Sequence, residues 1–274
     1  MQPVSRESYT AAVQRLEEFA TGERPVALAG VGDEILAVAD LLEKQPRLRR
    51  ALADPTRSGD DRAGLLGTLI EGKVSRDAVE LLKILVAGRW SAPSELLIAT
   101  ERLGIEALLA SAEVAGDLAD VEDELFRFGQ IVNSTHDLAA ALGSSTAPVE
   151  HRTRLARSLL EGKAKPATVR LVEVALRGFG GRNFAASLTR LVELASERRD
   201  RQIAYVTVAK PLSNGEEARL AARLAEIYGR EVEVKVVVAP NVIGGVSVRI
   251  GHDLYDGTIL RRMNETRAMI VGRR

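Results

Sequence analysis

Leu69-Ile70-Glu71-Gly72-Lys73 and, ninety positions later, Leu159-Leu160-Glu161-Gly162-Lys163 decide how this chain folds. The same displacement carries Leu48, Ala51, Leu52, Thr56, Arg62, Leu65, Val79, Leu81 and Gly88 onto Leu138, Ala141, Leu142, Thr146, Arg152, Leu155, Val169, Leu171 and Gly178. No gap is needed anywhere in the alignment. Leucine-rich helices align with one another by composition alone, but a shared Glu-Gly-Lys at fixed displacement marks a duplicated structural unit.

Working outward, each copy reads as helices. Ile35, Val38, Ala39 and Leu42 follow the i, i+3, i+4, i+7 spacing of one helical face. Leu65, Leu66 and Leu69 continue it, and after a break at Gly72 so do Val79, Leu82 and Leu85. In the second copy Leu125, Phe128, Ile131 and Val132 are assigned the same role, as are Val169, Val172 and Leu176. Pro55 and Pro148 fall in connections, and Gly88 and Gly178 lie just past helix ends. The expectation is two helical bundles in tandem, residues 1–104 and 105–199. A helix from about Leu96 to Leu118, weakened only at Gly104 and Gly116, would run from one into the other. Leu97, Ala99, Leu103, Ala107, Leu109 and Ala110 would then pack against both.

From residue 200 the period changes. Arg201 to Val208 is rich in β-formers, and Ser213 with Glu216 has the spacing of a capping box. Leu220, Leu224 and Ile227 are read as one helical face ending at Gly229, and Glu231 to Val236 alternates charge with valine. A turn follows at Pro240-Asn241. In Ile243-Gly244-Gly245-Val246-Ser247-Val248-Arg249-Ile250-Gly251, Val246, Val248 and Ile250 mark a half-buried strand. Gly251 suits a tight reversal, and Asp256 suits the N-cap of a last helix that buries Ile259, Met263 and Ile270. Residues 200–274 thus read as a β-α-β-β-α module. The fold class is α+β: tandem all-α bundles followed by that small module.

Composition sets limits on function. The chain has 274 residues, 46% hydrophobic and 28% charged, as expected of a globular protein of two or three small domains. Lysine plus arginine balance aspartate plus glutamate at 38 each, and aromatics are only 4%, which argues against a dedicated nucleic-acid binder. The absence of cysteine excludes disulfides, thiolate metal sites and a cysteine nucleophile, and fits a reducing compartment. The start, Met1 to Glu7, has no signal-type apolar core, and runs such as Val236 to Ala239 are too short to span a bilayer. The expectation is a cytoplasmic protein.

Chemical motifs are sparse. Gly244-Gly245 opens a strand rather than a helix, and neither Gly72-Lys73 nor Gly162-Lys163 is followed by Ser or Thr, so no phosphate loop is formed. Gly178-Phe179-Gly180-Gly181 follows a helix and reads as a turn, not a dinucleotide fingerprint. His136, His151 and His252 lack metal-ligand spacing. The carboxylates are read as solvated helix-face charges. Trp90, just past a helix end, suits both a core anchor and an interface anchor. Residues 261–274 hold five arginines and one glutamate, which suits both a helix C-terminus and a partner-binding stripe.

The run from Ile243 through Gly244-Gly245, the alternating strand, Gly251, and Asp256-Gly257-Thr258-Ile259 with its basic sequel resembles the C-terminal signature of the delta subunit of F-type ATP synthases, called OSCP in mitochondria. Glu106 to Leu125 is similar to that family's opening helices, and Ala186 to Arg199 to the helix joining its two domains. Residues from about 98 onward resemble one complete subunit, and the first hundred, beginning near Tyr9, are an extra helical copy. The resemblance implies a non-catalytic peripheral-stalk subunit. It would link the alpha and beta head to the membrane-anchored b subunit at the cytoplasmic face of the membrane, with no cofactor or metal. Tyr9, Trp90, Gly244, Gly245, Gly251, Asp256, Gly257, Arg261 and Arg262 are the candidate structural or interface residues. The alternative is a cytoplasmic RNA- or ribosome-associated factor using the module and its basic end, disfavoured by the neutral charge.

Overall fold

The computed structural model describes residues 2–20, 24–144, 146–200, 203–210, 212–228, 232–238, 245–250 and 253–256. The chain divides into two compact units, Met1–Ala195 and Ser196–Arg274.

The first unit is helical. Helices α1 (Pro3–Ala20), α2 (Pro25–Lys44), α3 (Pro46–Leu52), α4 (Gly59–Ile70) and α5 (Arg76–Ala87) lead to a long α6 (Pro93–Val114). There follow α7 (Leu118–Ser134), α8 (His136–Gly143), α9 (Val149–Leu160), α10 (Pro166–Arg177) and α11 (Phe184–Asp200), the last continuing past the unit boundary. The ninety-residue displacement is kept in three dimensions. It carries the first residues of α3, α4 and α5 onto those of α8, α9 and α10, and Pro3 of α1 onto Pro93 of α6. Helix α6 therefore closes one repeat and opens the next.

The repeated Glu-Gly-Lys has a backbone cause. After α4 and after α9 the chain turns through Gly72 (φ +76°) and Gly162 (φ +71°), a left-handed conformation that a Cβ disfavours. In both turns the lysine amide donates back to the helix, Lys73 to Ile70 O and Lys163 to Leu160 O, each at 3.0 Å. A second shared device follows. Glu34 on α2 accepts the Ser75 amide (3.0 Å) and hydroxyl at the start of α5. Its equivalent Glu124 on α7 accepts the Lys165 amide (2.9 Å) and Thr168 Oγ1 (2.6 Å) at the start of α10. A carboxylate there satisfies amides that the helix leaves without partners and meets the positive end of its dipole.

Two apolar cores fill the unit. The first gathers Leu16, Leu28, Ile35, Leu42, Leu66, Leu82, Leu85 and Trp90, the second Leu125, Phe128, Val132, Leu171, Val172 and Leu191. Helix α6 serves both. Leu96, Ala99, Leu103, Ala107 and Ala110 lie in the first core, Ile105, Leu108, Leu109 and Ala112 in the second. The expected shared helix is present, ending at Val114 rather than Leu118 because Gly116 turns left-handed (φ +77°). Gly104, expected as a weak point, is the point of closest approach to α2. A Cβ there would lie 2.7 Å from Leu36 Cγ and 3.1 Å from Gly32 O; one on Gly32 would lie 3.0 Å from Gly104 O.

One helical-face assignment is corrected. Ile131 does not join the second core; it is 54% exposed. The buried stripe of α7 is Val121, Leu125, Phe128 and Val132, whose steps of four and three leave Ile131 on the other side.

The second unit holds β1 (Ile203–Val208), α12 (Asn214–Tyr228), β2 (Glu233–Val238), β3 (Val246–Ile250) and β4 (Asp253–Asp256) in a sheet of order β2-β1-β3-β4. Strand β1 pairs parallel with β2 and antiparallel with β3, Val206 opposite both Val236 and Val248. Antiparallel β4 is one strand more than the expected β-α-β-β-α order contains. Val206, Val208, Leu224, Val232 and Val248 form the core, with Leu220, Tyr228, Val234, Val236 and Val246 against it. Ile227 was assigned to this face and is instead 68% exposed, since Leu220, Leu224 and Tyr228 step by four and pass it by. The Glu216 carboxylate accepts the Ser213 amide (2.8 Å) and hydroxyl (2.7 Å), as the capping-box spacing requires.

Candidate interaction surface

Each sequence-derived candidate has a definite place. Tyr9 is buried between α1 and α6. Its hydroxyl donates to Glu106 Oε1 at 3.4 Å, and the Arg102 guanidinium carbon lies 5.0 Å from its ring centroid. Arg102 Nε stands 3.8 Å from the same carboxylate. Glu106 is wholly buried, and a buried carboxylate is tolerated when such donors surround it. Trp90 is buried in the first core, its Nε1 donating to Leu85 O at 3.1 Å, so of its two readings the structure has the core anchor. The neighbouring backbone is tied to α1: Ser8 Oγ donates to Arg89 O (2.9 Å), accepts from Arg89 N (2.8 Å), and Ser91 N donates to Ser5 Oγ (3.0 Å).

Gly245 precedes β3 with φ +82°, and Asp256 ends β4 opposite Ser247. The sequence brings this pair to one edge of the module. Gly244, Gly251, Gly257, Arg261, Arg262 and the closing helix with Ile259, Met263 and Ile270 lie outside the described residues, as do Gly229 and the Pro240-Asn241 turn.

The reading of carboxylates as solvated surface charge needs correction at four positions. Glu34 and Glu124 cap helices, Glu106 lies in the interior, and Glu101 on α6 accepts the Gly180 amide at 3.0 Å. That last bond ties α6 to the glycine-rich turn at 178–181, which folds as a short 3₁₀ segment. Burial pushes the Glu101 carboxyl up to about 7, and Glu43 and Asp40 act in the same direction, while the Gly180 amide and Arg182 oppose them.

The sign of the resulting pH dependence follows directly. Between the ordinary 4.5 and about 7 the folded state holds this proton more tightly than the unfolded chain. The contribution to stability is therefore fully present below that window and is lost as pH rises through about 7. Glu101→Gln keeps an acceptor for Gly180 without a charge to desolvate. In urea titrations the variant should match wild type near pH 5 and exceed it near pH 8. A constant difference across that range would contradict the assignment.

Among the described residues no cluster of three His, Asp or Glu side chains is placed to hold a metal ion, and His136 and His151 are exposed. No helix among them is long and apolar enough to cross a membrane.

The sequence profile described as the ATP synthase delta (OSCP) subunit matches residues 9–92 and 106–270. This chain belongs to the ATP synthase delta (OSCP) subunit family. The two matched segments part within α6, where the repeats share a helix. Three curated relatives, each called ATP synthase subunit delta, extend over nearly the whole chain. That of Salinispora arenicola is 63% identical over 269 residues, 98% of each chain. That of Salinispora tropica is 60% identical over the same length and coverage. That of Streptomyces griseus is 42% identical over 272 residues, 99% of this chain and all of the relative. The resemblance first drawn from Ile243 to Ile259 is thereby established for the delta family. Nothing in the comparisons supports the RNA- or ribosome-associated alternative.

Proposed function

We propose that this delta-family chain is the strap of an F-type proton-translocating ATP synthase, a non-catalytic peripheral-stalk subunit that keeps the catalytic head from turning with the rotor. Rotary torque then drives ATP synthesis instead of spinning the whole head. The observation that carries this is the family match over both helical repeats and the terminal module.

In this reading residues 1–104 and 105–199 are two helical repeats that grip the alpha subunits, and through them the beta subunits, of the head. Residues 200–274 meet the b subunit, at the cytoplasmic face of the membrane. The subunit works by binding at two ends, without cofactor, metal or nucleic acid. Grooves between amphipathic helices suit partner helices that lay an apolar face into them. Tyr9 and Trp90 stiffen the first repeat from inside. Gly244, Gly245, Gly251, Asp256 and Gly257 shape the stalk-facing end, and Arg261 and Arg262 provide its cationic stripe.

The test is fractionation. The chain should co-purify with the membrane-bound ATPase and leave the membrane with the soluble head when the complex is stripped. Recovery with ribosomes, or in the soluble fraction of cells whose ATPase is intact, would count against it.

A further inference from the structure

The ninety-residue displacement superposes α2 of the first repeat on α7 of the second, and their outer stripes meet different fates. On α2 the stripe is Ala29, Gly32, Asp33 and Leu36, at i, i+3, i+4 and i+7. The second repeat covers it. Ala29 is 6% exposed within the second core, Leu36 packs against that core, Gly32 meets α6, and Asp33 pairs with Arg170 of α10 at 3.0 Å.

On α7 the same positions hold Ala119, Glu122, Asp123 and Phe126. Ala119 and Asp123 are exposed, and Phe126 is 52% exposed. Aromatic side chains are the usual anchors of protein interfaces, since they bury a large apolar area. Asp123 pairs along its own helix with Arg127 at 2.8 Å, an exposed pair of the kind worth little in water. In the first repeat that fourth position is Ala37, and the cation for Asp33 comes from the docked neighbour instead.

We infer that the Ala119–Asp123–Phe126 stripe of α7 is a docking face for a basic amphipathic helix of the catalytic head. Each repeat carries this stripe on its second helix; the first is closed by its neighbour in the chain, and the second has no third repeat to close it. The occupant differs from α6 in one respect. Glu122 stands where Gly32 allows backbone contact, so the incoming helix rides further out, its apolar side on Phe126 and Ala119. A lysine or arginine then reaches Glu122 and Asp123.

This inference rests on the stator reading. Its test uses the full chain and purified alpha/beta head. Phe126→Glu should weaken head binding ~10-fold or more with thermal unfolding unchanged, and Asp123→Lys should weaken it and flatten its salt dependence. A photo-reactive residue at position 126 should capture a basic helical segment of a head subunit. Wild type and Phe126→Glu binding the head equally, or capture of a second copy of this chain, would overturn the docking face alone. Failure of wild type to bind the head would overturn the stator reading and the docking face with it.

Discussion

Gly104→Val is expected to destabilise the helical unit by about 1–3 kcal/mol and to lower one transition rather than one of two. The introduced Cβ would stand 2.7 Å from Leu36 Cγ and close to the Gly32 carbonyl, so α2 and α6 would have to separate where they cross. Backbone atoms line one side of that contact, and they do not rotate away as a side-chain end does. Because α6 supplies residues to both cores, separation loosens both repeats together. Calorimetry of residues 1–195 should show a single peak moved down in temperature. Two resolved peaks, or an unmoved one, would contradict the shared helix. Gly30 gives the matching control on α2, since nothing lies within 4 Å of a Cβ built there. Gly30→Ala should instead stabilise by roughly 0.5–1 kcal/mol through helix propensity alone.

The other large effect concerns the stalk-facing end. Gly245→Val should weaken binding to the soluble portion of the b subunit ~10-fold or more and leave head affinity nearly intact. Gly245 enters β3 at φ +82°, and a β-branched residue held there costs about 1–3 kcal/mol. Val246 follows immediately and pairs with Val208, so relief of the strain shifts the strand register from its first residue. Gly245→Asn, better suited to a left-handed backbone, should recover most of the affinity. Equal loss at both partners, or none at either, would sink the assignment of this module to the stalk.

Much of this was legible in the sequence, for specific reasons. The repeat is visible because a left-handed turn demands glycine, and both turns therefore spell Glu-Gly-Lys. The helix caps of Glu34 and Glu124 were also within reach, since the two coincide under the same displacement. They were passed over because a carboxylate on a helix face is ordinarily solvated. Ile131 and Ile227 were misassigned because each sits one residue from the true stripe, and spacing alone accepts either neighbour. The Gly32–Gly104 crossing was not legible: it is a distance between two helices, and glycine within a helix reads locally as weakness. Glu106 and Glu101 were missed for a related reason, since only packing reveals which carboxylates have left water. Chemistry at the terminal module was read from the Ile243–Ile259 signature, of which Gly245 and Asp256 fall within the described residues.

The double role of α6 has a genetic consequence. A recombination event that joins any codon of α1 to the codon ninety positions later in α6 deletes one whole repeat without breaking a helix, because the two helices begin at equivalent prolines, Pro3 and Pro93. The product keeps α7 through the terminal module in their original frame and opens with a hybrid helix. The reverse exchange inserts a third repeat, whose α2-like helix would meet the stripe that ends at Phe126. Chain length in such a lineage is therefore free to change in steps of one repeat, and intermediate lengths are selected against because they cut through a core.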